Sequence, residues 1–187
     1  VPPFDAHNQS AAAQAAQFGY NNDFVAFMPL PLGSGSSTRG LLCINHEFTN
    51  TKFIWPGLNA LNIRQSMSRE RTAVEMAAIG HSVVEIERGA RGWRYKNSPF
   101  NRRLTADSPM RLSGPAAGYD WVRTDQYLQG YDCRGVLNPC SGGKTPWGTV
   151  LIADENFNMM FAGHTPDERE RRNHQRYGVG TVNLYSW

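Results

Sequence analysis

The apolar residues of this chain come in short runs, and nearly every run is closed by glycine or proline. "NDFVAFMPL" reads as a strand that stops where Pro29 and Pro31 withdraw their amide hydrogens from any ladder. "LLCIN" follows the flexible "GSGSSTRG" as a buried strand, and "TVLIA" is entered through the turn Pro146-Trp147-Gly148. "HSVVEIER" and "WRYK", separated by "GARG", read as a hairpin. Runs this short cannot supply long amphipathic helices. With Gly 18 and Pro 11 in 187 residues, the pattern predicts a mainly β fold of short strands with one or two helical inserts. The best insert is "RERTAVEMAAI", with Ser68 as its N-cap and Gly80 just past its end. "AAAQAAQFG" predicts a shorter helix ending at Gly19, and "PDERERRNHQRYG" a solvated helix or loop. "TVNLYSW" alternates and predicts a last strand, with a sheet edge that needs cover.

Bulk properties narrow the function. A hydrophobic content of 40% supports one domain, with residues 1–20 a polar N-terminal segment and residues 21–187 carrying the candidate site. Net charge is only +3 and the arginines are scattered, so no basic stripe marks a nucleic-acid groove. No apolar run approaches the length of a membrane span. Three cysteines cannot form a closed disulfide set. Cys133 and Cys140 can pair or stay free.

Three stretches carry chemistry. In "CINHEFTN" a strand ends in Asn45, His46 and Glu47, followed by Asn50. Glu47 offers a hard oxygen to a metal. The asparagines offer amide oxygens or orient the carboxylate, and His46 is a ligand or a packing residue. In "TVLIADEN" another strand delivers Asp154, Glu155 and Asn156 to a strand end. Adjacent strand residues face opposite ways, so Glu155 is the preferred ligand, with Asp154 or Asn156 in support. Each stretch also reads as a plain structural turn. In "NPCSGGKTPWG", Cys140 is a candidate thiolate ligand, and Gly142 and Gly143 permit a tight loop with amides toward an anion. Lys144 adds a cation suited to phosphate and is the candidate catalytic residue. Walker, CxxC, HExxH and GxSxG patterns are all absent. Mixed thiolate and carboxylate donors point to a transition metal beside hard cations.

Four stretches resemble, in order, the PhoX-type alkaline phosphatases. They are "NHEFTN" (45–50), "MAAIGHSVVEI" (76–86), "RLSGPAAG" (111–118) and "LNPCSGGKTPWGTVLIADENF" (137–157). The resemblance implies part of a β-propeller and a periplasmic or secreted enzyme. It further implies hydrolysis of phosphomonoesters at an iron and calcium centre. Glu47, Cys140 and Glu155 match metal-binding positions of the family. Pro139, Ser141 and "ADEN" stand where asparagine, alanine and "CEEN" are common. Family members are several times longer, so the chain is expected to be one domain or a partial propeller, completed by further blades or by self-association. The competing expectation is a non-catalytic, propeller-like binding module, stabilised by calcium.

Overall fold

The computed structural model describes residues 2–187 and is mainly β with short helices. Ser10 Oγ accepts from the Ala13 amide and starts helix α1 (Ala11–Ala15). Strands β1 (Asn22–Pro29) and β2 (Arg39–His46) then pair antiparallel. Two short helices, α2 (Thr51–Ile54) and α3 (Ile63–Ser66), lead to α4 (Arg69–Ala78), capped by Ser68 as expected. The expected hairpin follows as β3 (Gly80–Gly89) and β4 (Gly92–Tyr95). Next come β5 (Arg102–Leu104), β6 (Pro109–Arg111) and β7 (Asp132–Arg134). The chain continues through β8 (Pro139–Lys144), β9 (Val150–Asp154) and the exposed helix α5 (Glu168–Tyr177). Among the described residues, no helix is long and apolar enough to cross a membrane.

The main sheet runs β1-β2-β3, and both β4 and β5 pair with β3, at different stretches of its length. β6–β7 and β8–β9 form separate two-stranded sheets. Ala26, Met28, Leu41, Cys43 and Val83 make a core on one face of the main sheet, with Phe24 and Val150 packed against it. β8–β9 therefore lies over this face, and Asn45 Nδ2 bridges to β8 near its start. Two further clusters, around Ile54 and Ile79, anchor α4 and the C-terminal segment. The Arg103 guanidinium donates to the carbonyls of Ala77 (3.1 Å) and Ala78 (2.8 Å), closing the C-terminus of α4. Burial lowers its pKa to about 10, which leaves it charged at neutral pH.

Two sequence expectations are corrected. "TVNLYSW" forms no strand. Tyr185 and Trp187 turn into the Ile79 cluster, and Trp187 Nε1–H donates to the buried Glu75 carboxylate at 3.1 Å. Glu75 also accepts from Thr49, Thr51 and Trp55, so packing and this polar hub outweigh strand pairing there. The second correction concerns Gly142 and Gly143. They form no anion-binding loop and lie within β8, opposite Ile152 and Leu151. A Cβ at Gly142 would stand 2.6 Å from the Phe24 ring and 2.8 Å from the Leu151 carbonyl. The glycine lets β8 approach β1 closely.

Two outcomes check this packing. Gly142→Ala forces Phe24 and β8 apart, and urea unfolding is expected to show a loss of about 1–3 kcal/mol. His81 is buried, and burial, then Arg102 and Arg103, hold its pKa down to about 4. An unfolded histidine titrates near 6.5, about 2.5 units higher. Between those values only the unfolded chain takes the proton. Stability is therefore full above that range and falls as pH drops toward about 4. From pH 7 to 5 this residue is expected to cost about 2 kcal/mol, a loss that His81→Gln removes. Equal losses in parent and variant contradict a neutral buried His81.

Candidate metal centre

The ends of β1, β2, β8 and β9 meet at one place. Alternation along β2 sends Cys43, Asn45 and Glu47 to one face and His46 to the other. His46 is accounted for there. Its Nδ1–H donates to Asn22 Oδ1 at 2.8 Å, its Nε2 accepts from Ser82 Oγ at 2.7 Å, and its ring meets the edge of Phe18. Both ring nitrogens are used, so His46 packs and does not coordinate. Burial, then Arg103 and His81, push its pKa down to about 3 and keep it neutral.

Two irregularities bring in the other donors. β1 breaks register between Asn22 and Val25, and β8 between Pro139 and Ser141. A bulge re-aims the side chains beside it. Asp23 lies within the first break and Cys140 within the second. Cys140 Sγ–H donates to Asp23 Oδ2 at 2.9 Å. Ligand atoms of Asp23, Glu47 and Cys140 all lie within 4.8 Å of one another. The Glu155 carboxylate, just past the end of β9, also raises the thiol's pKa. Left-handed asparagines border these segments: Asn21 (φ 44°) before β1, Asn138 (φ 54°) before β8, and Asn156 (φ 53°) after Glu155. Asn138 Nδ2 donates to Glu47 Oε1 at 3.3 Å, and its carbonyl accepts the Glu155 amide at 2.9 Å.

Of the predicted ligands, Glu47 and Cys140 come together with Asp23, while Glu155 lies outside that group and bears only on the thiol. Other predicted site residues stand elsewhere. Asp154 accepts the Leu137 amide at 3.0 Å, on a different side from Glu155. Asn156 makes the turn into the 3-10 helix Phe157–Met160 and caps nothing with its side chain. Asn50 Nδ2 donates to Asn21 Oδ1 at 3.3 Å, supporting the entry to β1. Asn45 donates to the carbonyls of Cys140 and Ser141 and is no ligand. Lys144 lies at the other end of β8, where its ammonium donates to the Phe27 carbonyl at 3.1 Å and lines a cleft with Leu32 and Trp147. It stands outside the cluster. All three cysteines are free. Sequence reasoning missed Asp23 and Asn138. The "NND" and "LNPC" turns were the available signal, but bulges are not readable from composition.

The electrostatics separate this cluster from the other enclosed carboxylates. Glu85, buried at the far end of the same sheet, has Arg39 at 2.7 Å and Lys96 at 3.8 Å, and the hydrogen bond from Arg39 leads in lowering its pKa. Glu75 has four neutral donors. At the cluster the balance reverses. Glu47 is raised by burial, then by Asp23 and Glu155, with only Asn138 opposing. The Cys140 thiol is pushed up to about 12, first by its hydrogen bonds to Asp23 and Glu155. No basic side chain contributes to either shift. Three carboxylates and a thiol gathered without a basic side chain among the described residues are suited to a metal ion, which would favour their charged forms. The donor set, hard oxygens with one soft sulfur, suits a transition metal with a hard cation beside it.

A mainly β fold whose strand ends turn a thiol and carboxylates onto one point defines a candidate metalloprotein. The family model described as alkaline phosphatase PhoX matches residues 1–186, and the chain belongs to that family. It is similar to a solved structure of Pseudomonas fluorescens PhoX in complex with vanadate, a transition state analogue, with 36% identity and a TM-score of 0.83. The likeness covers 96% of this chain and 30% of that one, so the chain spans less than a third of that relative's length. No curated protein sequence matches.

The cluster makes a direct prediction. In metal-free protein, Asp23→Asn removes the main influence that raises the thiol pKa. Alkylation rate against pH is expected to show Cys140 titrating at least one unit below its parent value. An unchanged profile contradicts the Asp23 contact.

Proposed function

We propose that this chain carries part of the metal centre of a phosphomonoester hydrolase of the PhoX type, with iron and calcium as its ions. The observation that carries the reading is the convergence of Asp23, Glu47 and Cys140 within 4.8 Å, with Glu155 also raising the thiol's pKa. Family membership and the vanadate-bound relative support phosphoryl chemistry at such a centre. Cations of this kind, when bound, neutralise the charge on a transferring phosphoryl group.

The chain's own residues have separable tasks. Cys140 would hold the ion as a thiolate, releasing to solvent the proton it donates to Asp23 in the metal-free chain. Asp23, Glu47 and Glu155 supply oxygens. Asn138, just before β8 and 91 residues away in sequence, holds Glu47 in place. Lys144 has no part in this arrangement.

We further propose that the main sheet is one blade of a β-propeller. An antiparallel sheet three strands wide, with β4 and β5 together making a fourth row, is the blade pattern, and strands β1 to β3 are neighbours in chain order. The reading carries with it further blades outside this chain and a periplasmic or secreted location.

The test is turnover of p-nitrophenyl phosphate beside metal analysis. Cys140→Ala and Glu47→Gln are each expected to lower kcat/KM by at least ~100-fold and to reduce bound metal. Full activity and metal content in Cys140→Ala contradict the assignment. Metal binding without turnover in a protein that also includes the further blades favours the non-catalytic module.

A further inference from the structure

The buried pair His81 and Asn45 has no role in the centre proposed above. Asn45 is fully buried on β2, and His81 lies opposite it on β3 with 4% exposure. His81 Nδ1–H donates to Asn45 Oδ1 at 2.8 Å. Asn45 Nδ2 donates to the Ser141 carbonyl at 3.1 Å and the Cys140 carbonyl at 3.3 Å. This arrangement fixes the amide's orientation. A flipped amide would set its oxygen against two carbonyl oxygens and its NH2 against an N–H.

The two accepting carbonyls lie at the break in β8. Pro139 pairs with Asp154 and Ser141 with Ala153, while Cys140 has no partner on β9. The extra residue of a bulge is outside the ladder. Its peptide can rotate unless something else holds it, and rotation would swing the thiol away from Asp23 and Glu155. Asn45 supplies that hold from the main sheet, at a distance of 95 residues in sequence.

We infer that His81 and Asn45 are positioning residues that clamp the Cys140 bulge through its backbone and so aim the thiolate at the metal. The inference rests on the metal-centre reading, and its test separates the two. Co²⁺ is added to the full chain, and thiolate-to-cobalt absorption in the near ultraviolet is measured, with Cys140→Ser as the blank. Asn45→Asp keeps the shape but faces the two carbonyls with oxygen. Its added charge alone would tighten cation binding, so a loss of sulfur absorption isolates geometry from electrostatics. Asn45→Asp is expected to lower the absorption at least tenfold at saturating Co²⁺. His81→Leu, which frees the amide to rotate, is expected to lower it at least threefold. His81→Gln, whose amide can still donate to Asn45, is expected to restore most of it.

Parent-level absorption in both Asn45→Asp and His81→Leu overturns the clamp and leaves the metal centre standing. A parent with no more absorption than Cys140→Ser overturns both. Circular dichroism accompanies each sample. If both variants lose their fold, the pair holds the sheet and does not aim the thiol, which also overturns the inference.

Discussion

Everything at this site depends on an electrostatic imbalance. A thiol proton is held by Asp23, with Glu47 close by and Glu155 also raising the thiol, and among the described residues no lysine or arginine contributes to oppose them. Burial and the neighbouring carboxylates raise Glu47, and Asp23 and Glu155 raise the Cys140 thiol. The same chain shows that it can neutralise an enclosed carboxylate when that is needed, as Arg39 and Lys96 do for Glu85. A cation bound here would favour the charged forms of Glu47 and Cys140 together.

The fold builds this imbalance with local devices. Regular alternation places Glu47 on the same face as Asn45, and two bulges then turn Asp23 and Cys140 toward it. Asparagines in left-handed conformation border the segments, where the chain must change direction abruptly. Gly142 allows the thiol-bearing strand to lie against Phe24, close enough for the donors to meet. Each device costs some regularity in a ladder. The cores around Ala26, Ile54 and Ile79 provide the burial that tolerates this loss.

Much of the fold was legible from short apolar runs and their punctuation. The strands around Phe24, Cys43, Val83 and Ile152 and the Ser68-capped helix stand where periodicity and capping place them. Glu47, Cys140 and Glu155 were legible as ligand types at the ends of segments. Asp23 was not, because its partner is 117 residues away and its orientation is set by a bulge. The glycines of β8 read as a loop because composition reports flexibility, while pairing with β9 decided the outcome. The C-terminal alternation misled for a related reason. Trp187 gains a buried carboxylate partner and an apolar cluster, which a strand edge would not offer. Lys144 looked like a phosphate contact from its neighbours in sequence, yet five residues of extended chain carry it away from the cysteine.

On the proposed reading Cys140 and its carboxylate neighbours together hold a cation, and X-ray absorption at the edge of the bound metal reports its neighbours. One sulfur scatterer with several oxygens is expected, with loss of the sulfur signal in Cys140→Ser. An oxygen-only environment, or a sulfur signal that survives that substitution, would contradict it.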